Sequence, residues 1–258
     1  MGANAVTTVP VYTAGEVLTA ADLNITNSGI PVFASTVERD AAFGGTGEKT
    51  LAEGQFAYLE TGNVTQYYDG AAWQAVGVTP GLVPVVPTSV AVGSGTASVG
   101  ATGLITFTTV GTSLSVNGCF SATYLNYLVV HNSSNSADST LTAKLRASGS
   151  DTSTQYYYNV GSYYSNAATI DYLQGNNQTT CVLADSGAAE RGMTMNIFNP
   201  FAAKITLINS QLGQMVSTRQ QPNFAYGTQN STTSFDGFTL FPSSGTMTGT
   251  MSIYGYAQ

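Results

Sequence analysis

Charge is what this 258-residue chain has least of: Asp, Glu, Lys and Arg make up 8% of it, about a third of the usual share. With 7 Lys+Arg against 14 Asp+Glu the net charge is −7, so the basic footprint that tracks phosphates is missing and nucleic-acid binding is excluded. No apolar run reaches the length of a membrane-spanning helix, so no membrane insertion is expected. The opening MGANAVTTVPVYTAGEV has no basic stretch followed by an apolar one, so no secretory leader is expected. Val6 stands where a myristoylation signal needs Ser or Thr. Two cysteines, Cys119 and Cys181, form no disulfide framework and are read as reduced, buried small hydrophobes, a bridge between them being the lesser alternative.

Chemistry-bearing residues are equally scarce. His131 is the single histidine, so any Ser-His-Asp or Cys-His arrangement must pass through it, and no GxSxG elbow exists. It closes the apolar run of VVHNSSNSAD and is read as a strand-end residue at the surface or in a subunit contact. One His and two distant Cys give no zinc spacing, and no DxDxDG-like calcium loop is present, so no metal or cofactor is expected. Gly44 to Thr50 (GGTGEKT) superficially matches a phosphate loop, but Glu48 precedes Lys49 where glycine is required. Asp138, Asp151, Asp185 and Asp236 sit in turn-like sequence, leaving Asp171, between Ile170 and Tyr172, as the odd carboxylate within a strand. No catalytic residue is assigned. Five Asn-x-Ser/Thr sequons, beginning at Asn24, Asn63, Asn132, Asn177 and Asn230, follow from an Asn/Ser/Thr-rich composition.

What is present is apolar content, at 43%, enough for a sizeable core. Charge is uneven: residues 1–80 carry −6 and residues 81–258 carry −1. The break falls at VTPGLVPVVPTSV, where Pro80, Pro84 and Pro87 predict a stiff extended linker over 80–88. Before it, residues 1–32 read as an extended anchor with one short helix at Thr19–Asn24, capped by Thr19. Residues 33–79 read as a small β-meander: strands at Gln55–Leu59 and Val64–Tyr68, a tight turn at Asp69-Gly70, then Trp73 in the module's core.

After the break, Leu141, Ala143, Leu145 and Ala147 alternate with Thr140, Thr142, Lys144 and Arg146, a clean period of two. Met247, Met251 and Ile253 share one face of another strand. Further strands are predicted at 104–110, 120–130, 155–160, 170–173, 180–184, 193–198, 205–209 and 235–241, and the stretch VGSGTASVGATG is read as flexible or as an edge strand. No helical periodicity or internal repeat appears, so the expected fold is all-β, with residues 89–258 forming an antiparallel β-sandwich of jelly-roll type.

Tyrosine is the one enrichment with functional colour: 15 Tyr, with Tyr156, Tyr157, Tyr158, Tyr163, Tyr164 and Tyr172 close together. Consecutive tyrosines in a strand point to opposite faces, so some rings meet solvent or a partner. The cluster is read as an interface or core feature, or as a ligand face on which sugars stack.

Three stretches resemble virion proteins of tailed bacteriophages. TAGEVLTAADLN (Thr13 to Asn24) is similar to the segment opening many tail-fibre and minor tail proteins. GIPVFASTVERDAAF with LAEGQFAYLETGNVTQYYDGAAWQAVG (Leu51 to Gly77), ending in YDG-x-x-W, resembles the small β-module beside it. FDGFTLFPSSGTMTGTMSIYGY (Phe235 to Tyr256) resembles the closing hairpin of fibre and head-decoration sandwiches. The resemblance implies a non-enzymatic structural protein located in the virion and assembled in the bacterial cytoplasm. It implies a homotrimer, docked on another virion protein by residues 1–32, that displays its sandwich outward. As a tail fibre or tail-tip protein it would attach to a host-surface glycan; a capsid fibre or head-decoration protein is the alternative, and a polysaccharide depolymerase the more distant one. Trimer contacts would also account for the low charge.

Overall fold

The computed structural model describes residues 9, 12–17, 19, 29–45, 48–77, 81–163, 170–216 and 219–257. The chain is all-β and divides into two units, Met1–Thr79 and Pro80–Gln258.

The first unit is a four-stranded sheet in the order β1-β2-β3-β4: β1 (Val32–Phe33), β2 (Phe56–Leu59), β3 (Val64–Tyr68) and β4 (Trp73–Ala75). The last three form the expected meander, and β1 joins it parallel to β2. Asp69 shapes the β3–β4 turn, its Oδ1 accepting from the backbone N–H of Ala72 and Ala71. Those bonds hold its carboxyl below the usual range. Trp73 is half-buried against the core, with Phe43 and Tyr68 tilted beside it and the Arg39 guanidinium over its face.

Two findings differ from the expected organisation of this unit. Its helix is α1 (Thr36–Ala41), where Ser35 accepts from the Glu38 N–H and Glu38 reaches back to the N–H of Ala34. The helix expected at Thr19–Asn24 lies almost wholly outside the described residues. Val9, assigned to the anchor, is buried with Phe33, Ala42, Ala57 and Leu59 in the module's own core and bonds Ala42 and Lys49 through its backbone.

The second unit is a 14-stranded sheet. Its strands are β5 (Leu82–Val85), β6 (Ser89–Val92), β7 (Thr96–Val99), β8 (Ile105–Val110), β9 (Leu114–Asn117), β10 (Asn126–Ala147) and β11 (Ser150–Asp151). There follow β12 (Tyr156–Tyr163), β13 (Ile170–Gln178), β14 (Cys181–Phe198), β15 (Thr206–Val216), β16 (Arg219–Gln229), β17 (Gly237–Pro242) and β18 (Met247–Tyr256). The segment expected to be a linker thus carries a strand: Leu82–Val85 pairs with Ile253–Tyr256, Pro84 included.

β10 organises the sandwich. On one side its residues Tyr127–Asn135 pair with β18 and Leu141–Arg146 with β17; on the other it pairs with β14 almost throughout. Register shifts between Asn135 and Thr142 bend it where it passes from one layer to the other. The strand path runs β13-β12-β16-β15-β14-β10-β17-β9-β6, with β18 joined to β10, β5 and β8, β7 to β8, and β11 to β10. The layers close over a core that includes Phe107, Leu114, Tyr127, Leu141, Leu145, Leu183, Phe238 and Met251. Across the two layers, Ser210 Oγ donates to the Leu183 carbonyl at 2.7 Å. Arg146 pins one corner by bonding Asn117, Ser115, Thr239 and its ion partner Asp151.

His131 is a correction. The run expected to break into a polar loop after it continues as β10, and His131 lies fully buried in mid-strand with Phe107 stacked on its ring at 5.5 Å. The loop reading failed because the inward positions after it, Ser133, Asn135 and Ser139, are polar yet buried. Cys119 and Cys181 are free and buried, and burial raises both thiol pKa values, that of Cys181 to about 12.

Candidate functional site

Side chains that share a cross-strand row share a face. One outward row runs Gln174–Asn159–Tyr226–Asn209–Asn196 across β13, β12, β16, β15 and β14. The row beside it is Tyr157–Thr228–Leu207–Phe198. Apart from Asn196, whose Oδ1 accepts from Tyr256 Oη, they line a concave trough of about 850 Å³, bordered by Asn176 and Gln178. Tyr226 is 62% exposed and Leu207 46%. Among the described residues, none of the lining side chains is charged. The trough therefore offers flat aromatic and apolar faces ringed by amides that both donate and accept, a chemistry suited to polyhydroxylated neutral ligands rather than ions.

The tyrosine cluster separates into different roles. Tyr156 is core: it is fully buried, and its Oη accepts the Leu145 N–H at 2.7 Å. Burial raises its pKa. Tyr157 and Tyr158 line the trough, and the ring of Tyr158 also packs on the core. Tyr163 stands edge-on to Phe224, their ring centroids 6.0 Å apart, and neither lines the trough. Tyr172 is exposed on the strand at the sheet edge, and Tyr164 lies outside the described residues. Tyr226 and Phe224 were missed. Their alternation in NFAYG is a period-two signal, but Pro222 and Gly227 interrupt the strand that carries it.

Behind this face, His131 Nε2 lies 3.0 Å from Ser133 Oγ, a pairing of types used in nucleophilic catalysis. Ser133 Oγ in turn lies 3.4 Å from Asn135 Oδ1, so the three side chains form a short polar row along the strand. Burial, and then the Arg191 charge, lower the His131 pKa to about 4. Both residues are sealed in the core, so the pair braces the strand. Asp171 sits exposed on β13, opposite Ser162. Among the described residues no group of three or more His, Cys, Asp or Glu side chains is placed to hold a metal, and no helix is long and apolar enough to cross a membrane. No protein-family model, curated protein or solved structure matches the chain.

Proposed function

We propose that this chain is a non-enzymatic structural protein of a tailed-phage particle, of tail-fibre or tail-tip type, that self-associates and engages a neutral host-surface glycan in the Tyr157–Tyr226 trough. The observation that carries the reading is the trough's lining: tyrosine faces and amides with no charge. Sugar rings stack on such faces and their hydroxyls exchange hydrogen bonds with such amides. Residues 1–32 would dock the chain on the particle, as the sequence resemblance implies.

The test is binding of the purified chain to host cells. Tyr226→Ala together with Tyr157→Ala should weaken binding by tenfold or more while leaving the circular dichroism spectrum unchanged. Equal binding by folded wild-type and variant protein would overturn the glycan reading.

A further inference from the structure

The inward positions of β10, β14 and β15 are apolar at one end, with Tyr127, Val129, Met195, Ile197 and Ile208, and polar at the other. The polar end is the cross-strand row Ser133–Arg191–Gln214–Gln221, which runs from β10 through β14 and β15 to β16 and is buried throughout. Arg191 is its unusual member. It is 2% exposed, yet among the described residues it forms no ion pair. Burial drives its pKa down to about 10, against the nearby charges of Asp138 and Asp185, and it stays charged at neutral pH. A cation sealed in a protein interior is costly unless an opposite charge meets it there.

The guanidinium is only partly bonded. Its Nη2 donates to the carbonyls of Ser139 and Gly187, which face each other across β10 and β14. To reach them the side chain runs along the strands past the position of Asn135. Nε and Nη1 of Arg191 have no hydrogen-bond partner, and neither do Asn135 Nδ2 and Gln221 Nε2. The Gln221 amide belongs to the same cluster. A Cβ added to Gly187 would collide with the Gln214 amide, so that amide lies over the glycine whose carbonyl Arg191 bonds. Gln214 Nε2 in turn donates to Gln221 Oε1 at 2.6 Å. Four nitrogens with hydrogens to donate are therefore gathered around one buried positive charge.

We infer that this cluster binds a small monovalent inorganic anion, a halide such as chloride, held by the Arg191 guanidinium with the side-chain amides of Asn135 and Gln221. Water meets only part of the need, having two acceptor lone pairs and no charge. A halide accepts from several donors at once and supplies the missing negative charge. Charge and size both follow from the site. One guanidinium calls for one negative charge, and donors that are all more than nine-tenths buried leave no open side for a ligand that extends into solvent. Such an ion is part of the fold and independent of the trough: it ties β14 and β16 to β10 beside the bend of that strand.

The experiment is urea unfolding of the full-length chain at constant ionic strength, with chloride exchanged stepwise for gluconate, an anion too large to enter. In the wild type the unfolding equilibrium constant should fall about tenfold between chloride-free buffer and about 0.1 M chloride. Arg191→Met removes the cation, and Asn135→Asp supplies a carboxylate beside it; in each variant the chloride dependence should disappear. Asn135→Asp keeps the shape of the side chain, so it decides the matter if Arg191→Met does not fold. A wild-type midpoint that is the same in chloride and gluconate would overturn the anion site and leave its donors to water. A chloride dependence that persists undiminished in the folded variants would overturn it too, placing the effect elsewhere in the chain.

Discussion

At the scale of single residues, the polar side chains inside the second unit do most to define it. His131, Ser133 and Asn135 point inward from β10 at every second position, where an ordinary strand would place valines. Hydrogen bonds within the row offset part of the cost of burying them, while His131 Nδ1 and Asn135 Nδ2 are buried without a partner, which makes the arrangement sensitive to protonation. His131 is held neutral when folded, with a pKa near 4, against about 6.5 when unfolded. Below pH 6.5 the unfolded chain therefore binds the extra proton, and stability should fall until the folded pKa is passed. The loss expected between pH 6.5 and 4 is about 3 kcal/mol. As this is the single histidine, denaturant midpoints between pH 6.5 and 5.5, above the range where carboxylates titrate, should decline in the wild type and stay level in His131→Gln.

Strands were legible where their alternation was clean. Leu141, Ala143 and Leu145 face the core, as do Met247, Met251 and Ile253. The join between 126–130 and 141–147 was hidden because alternation is read from apolarity, and the intervening inward positions are hydrogen-bonded instead. Likewise β16 was hidden by Pro222 and Gly227, and with it Tyr226, one of the four aromatic residues that line the trough. A site assembled from five strands between residues 156 and 229 is visible only once their pairing is known. The helix at Thr36–Ala41 did have a local signal, the Ser35–Glu38 capping box. Pairing also explains glycines that composition cannot. A Cβ added to Gly249 of β18 would lie 2.0 Å from the Asn132 carbonyl oxygen of β10. Gly249→Ala should therefore force these central strands apart and cost about 1–3 kcal/mol, seen as a lower urea midpoint with an unchanged slope. A midpoint equal to that of the wild type would mean the strands are not so close.

For the whole molecule, the separation of the two cores matters most. Val9, Phe33, Ala42, Ala57 and Leu59 form one cluster, and the large cluster of the sandwich draws on none of them. Each unit thus buries its own apolar residues, which is the physical condition for independent folding. Residues 81–258 produced alone should unfold in one cooperative transition and retain the near-ultraviolet spectrum of packed aromatics such as Tyr127, Phe120 and Phe238. A fragment without that spectrum would show that the sandwich needs the first unit. The uneven charge follows the same division, since the −6 of residues 1–80 falls almost entirely on the small module and its leading segment.

The position of β18 carries a consequence for synthesis. Met247–Tyr256 lies between β10 on one side and β5 and β8 on the other. Residues 82–85 and 105–110 therefore leave the ribosome well before the strand that completes their pairing exists. Their edges and that of β10 must wait through more than a hundred residues of translation, and contacts so distant in sequence form slowly. The layer that contains the trough can close only after residue 256 has been made, so folding of this unit is completed after translation of that strand rather than progressively during it.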